Sequence, residues 1–331
     1  LSRSGWKKED KYMAINCGLI GAYDQACVHG HSDSLSVDVS GFGKTLLIDP
    51  GRYMYEGPYR VWFESTEAHN TVVVDGKNQS EMQDGWLFKT MAVGKNKKWV
   101  TNKNFDFFDG SHDGYERLNE PVTHRRRILF VKPYYWIIVD DMIGKGEHDF
   151  DLYYHFPEKT TVKTDSGNFE TIVGYGDDVF LSITPCGTED YRMNVIQGSE
   201  KPIQGWVSYD YAVKLPAPVL RYSKRASAPV RFTTILNPFK GIKPELDARW
   251  IENDVLEITS DNSRELVIFS DGSKTKYRDI EFDGELLYVR YDTDMKLKKF
   301  FSVETSHVLF GNDVVYNSND DLIKRDIERS F

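Results

Sequence analysis

The chain carries two hydrophobic patterns, and both are typical of β-strands. Apolar and polar residues alternate over residues 35–40 and 150–156, as they do in a strand with one face in a core. Short continuous apolar runs, each bounded by turn residues, occupy residues 72–74, 128–131, 134–139, 266–269 and 286–289. We therefore predict an all-β chain, with an antiparallel β-sandwich and a smaller C-terminal antiparallel β-sheet domain.

Turn signals separate these predicted strands. Asp-Gly pairs stand at 75–76, 271–272 and 283–284, and glycine accepts the positive φ that tight turns require. The segment 237–244 is rich in proline and glycine, which favours a linker. We predict a β-sandwich domain over residues 1–238 and a smaller β domain over residues 239–331.

The final part of the chain has a different periodicity. Leu322, Ile323, Ile327 and Phe331 fall roughly on one helical face, with charged residues between them. This spacing predicts a terminal amphipathic helix, which would serve as a packing element or a frayed tail.

Composition supports β-structure and excludes several functions. Alanine occurs only ten times among 331 residues, whereas 45 residues are Phe, Trp or Tyr, and aromatic residues suit strands. The net charge of −9 argues against a nucleic-acid partner. The one basic run, residues 125–127, leads into an apolar segment and is interpreted as the start of a strand. The longest strongly apolar run, residues 134–139, is far shorter than the roughly 20 residues of a membrane span.

Neither cysteine chemistry nor a leader segment is evident. Cys17, Cys27 and Cys186 are an odd number without zinc-cluster spacing, which favours free thiols over a bridge between Cys17 and Cys27. The chain begins at Leu1 without Met or an apolar segment, so we expect that residues have been removed upstream.

Candidate chemistry is concentrated in the first quarter of the chain. If residues 29–39 are extended, then His29, His31 and Asp33 share the inward, apolar face of a strand. Burying these groups without partners would cost several kcal/mol. A metal ion or a hydrogen-bonded network would satisfy them.

Two further residues extend this group. Asp49 ends the run 45–48, which predicts a neighbouring strand, and His69 precedes the predicted strand 70–74. Strand ends can converge in a sandwich, and two imidazoles with one carboxylate are a good ligand set for Zn²⁺. Asp33 would then orient a ligand ring. Histidines satisfied by ordinary hydrogen bonds remain the alternative.

Four motifs in this order and spacing resemble the heparinase II/III-like polysaccharide lyases. They are HGHSDSLS from residue 29, LIDPG from residue 47, YMY from residue 53 and STEAHNTVVVDG from residue 65. The similarity is weaker at residues 205–208 and 215–219 and thin beyond residue 240.

The resemblance implies an enzyme in which an α/α toroid precedes a β-sandwich region and the two meet at a substrate cleft. This chain resembles the β-region only. The family's metal ligands fall on His31, Asp49 and His69, and its projecting catalytic histidine falls on His29. The tyrosine that acts as acid or base in alginate-directed relatives falls on Tyr55, with Tyr53 and Tyr59 as alternatives.

The implied reaction is β-elimination on a uronic-acid polysaccharide, either heparan sulfate or heparin-like or alginate-like. It leaves a 4,5-unsaturated uronate end. In the family a neutralising Asn and the main catalytic Tyr come from the toroid, so we expect this chain to hold half of a site. Its partners would be the upstream toroid and the polysaccharide, and its location the bacterial periplasm or the exterior. We favour a structural metal that fixes the loop presenting His29.

Other polar and aromatic residues carry weaker predictions. Arg60 is a candidate for binding an anionic sugar through paired hydrogen bonds. Three tryptophans either stack on sugar rings or fill the core: Trp62, Trp86 and Trp206. Five histidines lack a partner motif and are interpreted as structural or solvated: His112, His124, His148, His155 and His307.

Two functions of other classes stay open. One is a non-catalytic carbohydrate-binding or scaffolding β-sandwich with a structural metal, which would bury His29 and Tyr55 rather than expose them. The other is a stand-alone metallohydrolase, for which Glu64 or Glu67 would have to supply a general base.

Overall fold

The computed structural model describes residues 1–21, 29–83, 87–311, 313–317 and 325–331. The chain divides into two compact units, Leu1–Ile242 and Lys243–Phe331. Both are built from antiparallel sheets, which confirms the predicted all-β class. Within the described residues, no helix combines the length and apolar character needed to cross a bilayer.

The described residues of the first unit include one short α-helix, α1 (Gly57–Phe63), a 3-10 helix (Thr66–Ala68) and many strands. Its strands are β1 (Ser2–Arg3), β2 (Tyr12–Ile15), β3 (Val37–Gly41), β4 (Lys44–Leu47), β5 (Val72–Val74), β6 (Gly94–Thr101), β7 (Phe105–His112), β8 (Val122–Val131), β9 (Tyr135–Gly144), β10 (Glu147–His155), β11 (Thr161–Thr164), β12 (Thr171–Gly174), β13 (Val179–Cys186), β14 (Arg192–Gln197), β15 (Ser199–Glu200), β16 (Ile203–Gln204), β17 (Trp206–Asp210), β18 (Val213–Pro216), β19 (Pro218–Ser227) and β20 (Val230–Lys240).

These strands form a sandwich around one large core. An eight-stranded sheet has the order β11-β12-β13-β20-β9-β8-β7-β6, and two four-stranded sheets have the orders β14-β19-β10-β5 and β1-β2-β3-β4. Val39, Val72, Phe130 and Leu152 belong to a single buried cluster, although they come from all three sheets. Period-two alternation places such side chains on inner faces, as predicted for strands with one buried side.

The apolar runs form strands that end at turn residues, as the strand β5 illustrates. The run 72–74 is β5, and Asp75 and Gly76 follow it with φ of 53° and 61°. Lys77 N then donates to the carbonyl of Val74 at 2.9 Å, which closes a two-residue turn. This turn is one that the Asp-Gly pair predicts.

Residues 29–36 are not extended, so the condition for His29, His31 and Asp33 to share one strand face is not met. Strand β3 begins only at Val37, and both His29 (φ 69°) and Leu35 (φ 64°) have left-handed backbone conformations. Ser36 N donates to the carbonyl of Asp33 at 2.9 Å, so a local turn replaces the strand. The histidines are therefore presented by a loop and do not lie on one strand face.

The predicted boundary at residue 238 lies inside strand β20. That strand reaches Lys240, and the division between units follows Ile242. Beyond Leu236, β20 pairs with β13 but no longer with β9, so Pro238 needs no N–H on its open side. Pro238 therefore continues the strand where the sequence suggested a linker.

The second unit contains two sheets with their own core. Its strands are β21 (Asp247–Glu252), β22 (Val255–Ser260), β23 (Ser263–Phe269), β24 (Thr275–Tyr277), β25 (Ile280–Phe282), β26 (Leu286–Tyr291), β27 (Leu297–Thr305), β28 (His307–Phe310), β29 (Asp313–Asn317) and β30 (Arg325–Ser330). Sheet orders are β21-β22-β23-β26-β27-β30 and β24-β25-β28-β29. Leu266, Ile280, Leu287 and Phe300 are among the buried core residues.

The predicted terminal helix is wrong over residues 325–330. These residues form β30, which pairs with β27 and places Ile327 opposite Ser302. Hydrogen bonding along an open sheet edge outweighs the weak helical spacing, which short segments rarely convert into a stable helix. Leu322 and Ile323 lie outside the described residues.

Candidate metal centre and adjoining cleft

His31, Asp49 and His69 come together at one point. His31 Nδ1 lies 3.1 Å from His69 Nε2, and Asp49 Oδ2 lies 3.3 Å from the same nitrogen. One ligand atom from each residue falls within 4.8 Å of the others. His69 is fully buried, whereas His31 and Asp49 are half-buried, so the group opens toward one side.

Asp49 is held by a tight turn at the end of β4. Gly51 N donates to Asp49 Oδ1 at 2.8 Å, and Gly51 has φ of 78°. A Cβ at this position would lie 2.2 Å from the carbonyl oxygen of Ser208. Only glycine fits this approach, which explains the Asp-Pro-Gly sequence physically.

His69 follows the 3-10 helix, and its ring is fixed by the main chain. His69 Nδ1 lies 2.8 Å from the carbonyl of Ser65 and therefore carries the donated proton, which turns Nε2 toward Asp49 and His31. The next residue, Asn70, binds the carbonyls of Val37 and Ile48 and accepts from His155 N at 2.6 Å. Asn70 thus joins the segments that bring His69 beside Asp49.

The donor set fits a divalent cation such as Zn²⁺. Tetrahedral zinc with ligand distances of about 2.0–2.1 Å has ligand atoms about 3.3 Å apart, close to the 3.1 and 3.3 Å observed around His69 Nε2. Two ring nitrogens and one carboxylate oxygen are the ligand types that zinc prefers. A cation at this point would be held by His31, Asp49 and His69.

Without a metal, a proton serves the same purpose. Burial opposes charge on His69, but the hydrogen bond to Asp49 and the charge of that carboxylate raise its pKa to about 9. Burial also opposes charge on Asp49, but the same hydrogen bond and charge lower its pKa to about 2. Burial and the neighbouring His69 lower the pKa of His31 to about 4. These pKa values place positive charge on His69 and negative charge on Asp49, and leave His31 neutral at pH 7.

The role of Asp33 in orienting a ligand ring stays a prediction. The ring that needs orienting, His69, is held by the Ser65 carbonyl. The carboxyl group of Asp33 instead has the Asn16 side chain as a hydrogen-bond partner, and burial raises its pKa. Asp33 lies near the cluster, since its charge, together with the larger effect of Asp49, raises the pKa of His69 against the effect of burial.

His29 and Tyr55 lie beside this centre on an open surface. His29 is exposed, and the Tyr55 side chain is 39% exposed. Their ring centroids are 6.3 Å apart in an edge-on arrangement. Tyr211, on the loop between β17 and β18, lies 5.8 Å from Tyr55 and adds an exposed aromatic ring.

The two alternative tyrosines are occupied elsewhere. Tyr53 packs against Phe63 with centroids 6.1 Å apart. The hydroxyl of Tyr59 bonds to Glu200 and accepts from Lys214 Nζ at 2.8 Å. Of the three predicted tyrosines, Tyr55 is the one with a recorded ring contact to His29.

Arg60 is not available to a substrate, contrary to prediction. Its side chain is 4% exposed and pairs with Glu64 at 3.1 Å, because α1 turns both residues toward the protein. Arg60 Nη1 also donates to the carbonyl of Tyr55 at 3.2 Å. Arg60 therefore holds the main chain of Tyr55 in place from the buried side.

The tryptophan candidates divide in the same way. Trp62 is 4% exposed and belongs to a small core with Phe63 and Ala68. Trp206 is half-buried, and Lys214 Nζ lies 3.3 Å from its ring centre. Trp86 lies outside the described residues, as does Cys27, while Cys17 and Cys186 form no disulfide within the described part of the chain.

Sequence reasoning missed Arg52. Its Nη1 lies 2.8 Å from His29 Nδ1, and its guanidinium carbon lies 3.7 Å from the centre of the Tyr55 ring. Arg52 directly follows the Asp-Pro-Gly turn that carries the candidate ligand Asp49. A cationic side chain at that position was the sequence signal that could have identified Arg52 as a site residue. Arg52 therefore contacts both His29 and Tyr55 on the surface beside the candidate metal centre.

Comparison with known proteins matches this region to one family. The family model described as "Heparinase II/III-like, C-terminal" matches residues 3–236. A heparin-sulfate lyase from Pedobacter heparinus is 24% identical over 255 residues, covering 75% of this chain and 35% of the relative. A heparin-sulfate lyase from Bacteroides stercoris is 25% identical over 257 residues, covering 75% and 34%. The chain thus spans about a third of the length of these relatives.

Solved structures share the fold. The crystal structure of a heparan sulfate lyase from Pedobacter heparinus superposes with a TM-score of 0.64 at 20% identity, covering 89% of this chain and 40% of that one. A heparinase III structure gives 0.63 at 17% identity, covering 82% and 40%.

Proposed function

The chain belongs to the Heparinase II/III-like C-terminal family, and on that premise we propose that it is the β-region of a polysaccharide lyase. The substrate would be a uronic-acid polysaccharide of the heparan sulfate or heparin class. The observation that carries this proposal is the exposed pair His29 and Tyr55, whose rings lie 6.3 Å apart beside the His/Asp cluster.

The reaction would be a β-elimination. A base takes the C5 proton, the C–H electron pair becomes the C4–C5 double bond, and the C4–O4 bond breaks while O4 gains a proton. The adjacent carboxylate makes negative charge at C5 unfavourable, so hydrogen-bond donors must face that group. The Tyr55 phenol can exchange a proton, and the His29 imidazole can donate a hydrogen bond.

We propose that His31, Asp49 and His69 hold Zn²⁺ in a structural role. The ion would supply the positive charge that fixes the three ligand side chains and, through His31, the loop that carries His29. Metal analysis after dialysis and zinc reloading tests this: one bound equivalent supports it. If His31→Ala removes the metal yet leaves the loop undisturbed, the structural role is wrong.

We also propose that an α/α toroid completes the site. The relatives extend well beyond the aligned part, and His29 and Tyr55 lie on an open surface. The test compares the 331-residue chain with the complete product of its gene on heparan sulfate, hyaluronan and alginate, by the ultraviolet absorbance of unsaturated uronate. Product from the complete protein on heparan sulfate is expected, with little or none from the chain. Equal turnover by the two would overturn the half-site proposal.

A non-catalytic carbohydrate-binding sandwich is the second function. It would bury the imidazole and the phenol, whereas both are exposed, which supports the lyase. The metallohydrolase has less support: Glu64 is 3% exposed and paired with Arg60, and burial and the charge of Asp151 raise the pKa of Glu67 while Arg221 lowers it. We also propose a periplasmic or secreted location, which fractionation of the source bacterium tests.

A further inference from the structure

We propose that Arg52 locks His29 in the Nε2–H tautomer, which makes His29 a hydrogen-bond donor to an anionic oxygen of the substrate and not the base that removes the C5 proton. The anionic group would be a uronate carboxylate or a sulfate ester. This inference deepens the proposed lyase function and rests on it for the identity of the ligand.

The direction of the hydrogen bond between Arg52 and His29 follows from which of their nitrogen atoms carry protons. Arginine has N–H donors and no acceptor, so the 2.8 Å contact between Arg52 Nη1 and His29 Nδ1 has one polarity only. His29 Nδ1 must accept. A neutral imidazole has a single N–H, which is therefore on Nε2. The base would need a lone pair at that nitrogen, and the contact with Arg52 denies it.

Arg52 is itself held in place, so the contact is built into the fold. Its guanidinium lies 3.7 Å above the Tyr55 ring, within cation–π range. Its main-chain carbonyl accepts from Ser208 Oγ at 2.9 Å. The preceding Gly51 is fixed against Ser208 by a bridge. One side chain thus sets the tautomer of His29 and covers one face of Tyr55.

The burial of the Arg52 guanidinium destabilises the fold, which points to a functional reason for this residue. In the described part of the chain, Arg52 Nε and Nη2 are buried and have no hydrogen-bond partner. Buried donors without acceptors destabilise a fold. A residue selected for stability would pair these atoms. Arg52 and His29 together place a cation and an N–H beside Tyr55, which suits an anionic oxygen.

The first test reads the tautomer directly on the 331-residue chain. Two-bond ¹H–¹⁵N correlation spectra of ¹⁵N-histidine chain, with and without zinc, report which ring nitrogen is protonated; His29→Gln identifies the signals. We expect an unprotonated Nδ1 and a protonated Nε2 for His29, lost in Arg52→Met and retained in Arg52→Lys. A protonated Nδ1 in the unmodified chain overturns the inference, whether or not the protein is a lyase.

The second test measures the consequence in the complete gene product. Arg52→Met should lower kcat/KM about 10- to 100-fold, the value of a charge-assisted hydrogen bond, while Arg52→Lys recovers part of it. Arg225→Met removes an exposed arginine paired with Glu147 and should leave kcat/KM unchanged. A loss that is equal on sulfated and fully desulfated heparan identifies the carboxylate; a loss confined to the sulfated polymer identifies the sulfate.

Stability separates positioning from scaffolding. Because two buried donors of Arg52 have no partner among the described residues, the unfolding temperature of Arg52→Met should be no lower than that of the unmodified chain. An unchanged kcat/KM on both polymers, or a lower unfolding temperature that accounts for the loss of activity, would overturn the role of Arg52.

Discussion

Two clusters in the first unit use the same residue types, two histidines and an aspartate. Between the paired imidazoles, the ring nitrogens are 3.1 Å apart in both: His31 with His69, and His112 with His124. The second cluster lies within the eight-stranded sheet, where His124 Nε2 donates to Asp140 at 2.7 Å. Residue identity and spacing between rings therefore do not distinguish them.

The difference lies in where the protons and lone pairs point. In the core cluster, Gly114 N donates to His112, which leaves His112 to donate to His124 and His124 to donate to Asp140. Arg126 then neutralises Asp140 with two hydrogen bonds of 2.6 and 3.0 Å. Every group is satisfied in a linear chain, so this cluster has no place for a cation.

In the other cluster the acceptors converge. His69 Nδ1 donates its proton to the main-chain carbonyl of Ser65, and its Nε2 faces both Asp49 and His31. No arginine pairs with Asp49 among the ion pairs of the described residues. A His/His/Asp set is thus a metal-site candidate when its lone pairs converge without an internal cation, and a structural network when an arginine closes it.

The largest expected contrast is in metal content. His31→Ala should abolish binding of one zinc equivalent, because it removes a ligand, whereas His112→Ala should retain it. Metal content after chelation and reloading, measured by plasma mass spectrometry, checks both variants. If His112→Ala lost the metal while its fold stayed intact, the metal would not be specific to the cluster of His31, Asp49 and His69.

The next effect is on stability. Arg126→Met leaves the Asp140 carboxylate buried without its cation and should cost about 3–5 kcal/mol. Arg225→Met, at an exposed ion pair, should cost about 0–1 kcal/mol. Urea unfolding followed by circular dichroism gives both values. Similar costs for the two would mean that Arg126 does not close the core network.

A smaller effect concerns pH. Burial and the neighbouring His124 hold the pKa of His112 well below its usual value. The unfolded chain binds a proton there below about pH 6.5 and the folded chain does not, so this contribution is full above that pH and falls by about 1.4 kcal/mol per unit of acidification. Burial opposes charge on Asp140 also, but Arg126 lowers its pKa to about 2, so Asp140 stays ionised from pH 6.5 to 5.

The measurement is the slope of unfolding free energy between pH 6.5 and 5. His112→Gln should flatten that slope by about 1.4 kcal/mol per unit. An identical slope in the variant would show that His112 is not held neutral by the fold.

The smallest effect is expected for Asp33→Asn. Partners that orient a ligand ring typically change metal affinity about 10- to 100-fold when replaced. Because Ser65 holds the His69 ring and Asp33 bonds to Asn16, zinc affinity should change by less than that. Titration with a competing chelator measures it, and a drop within the larger range would restore the role predicted from sequence.

How much the sequence predicted depends on how local each cause is. Period-two runs and Asp-Gly turns predicted the strands, because alternation and turn geometry depend on neighbouring residues. The extended strand at 29–36 failed because a turn between Asp33 and Ser36 is set by a contact that alternation does not encode. The terminal helix failed because β30 forms through pairing with β27, distant in sequence.

The candidate site divides in the same manner. The order and spacing of the motifs led to the prediction of His31, Asp49 and His69 as metal ligands, and the structure places these three residues together. Arg60 was misassigned, because its direction depends on how α1 packs. Arg126 had a readable signal: alternation puts it on the same strand face as His124 and Phe130, both buried. A charged residue on the strand face that points into the core needs a partner of opposite charge, and for Arg126 that partner is Asp140.

Arg126 also makes two bonds outside its own network. Its Nη1 donates to the main-chain carbonyls of Leu35 and Asn70 at 2.7 and 2.8 Å. These carbonyls follow the loop that presents His29 and adjoin the metal ligand His69. Because a carbonyl is the same whatever side chain its residue carries, this attachment survives replacement of neighbouring side chains. The attachment of the loop is therefore made through main-chain atoms by a residue of the eight-stranded sheet, so replacing the exposed His29 side chain should leave that attachment in place.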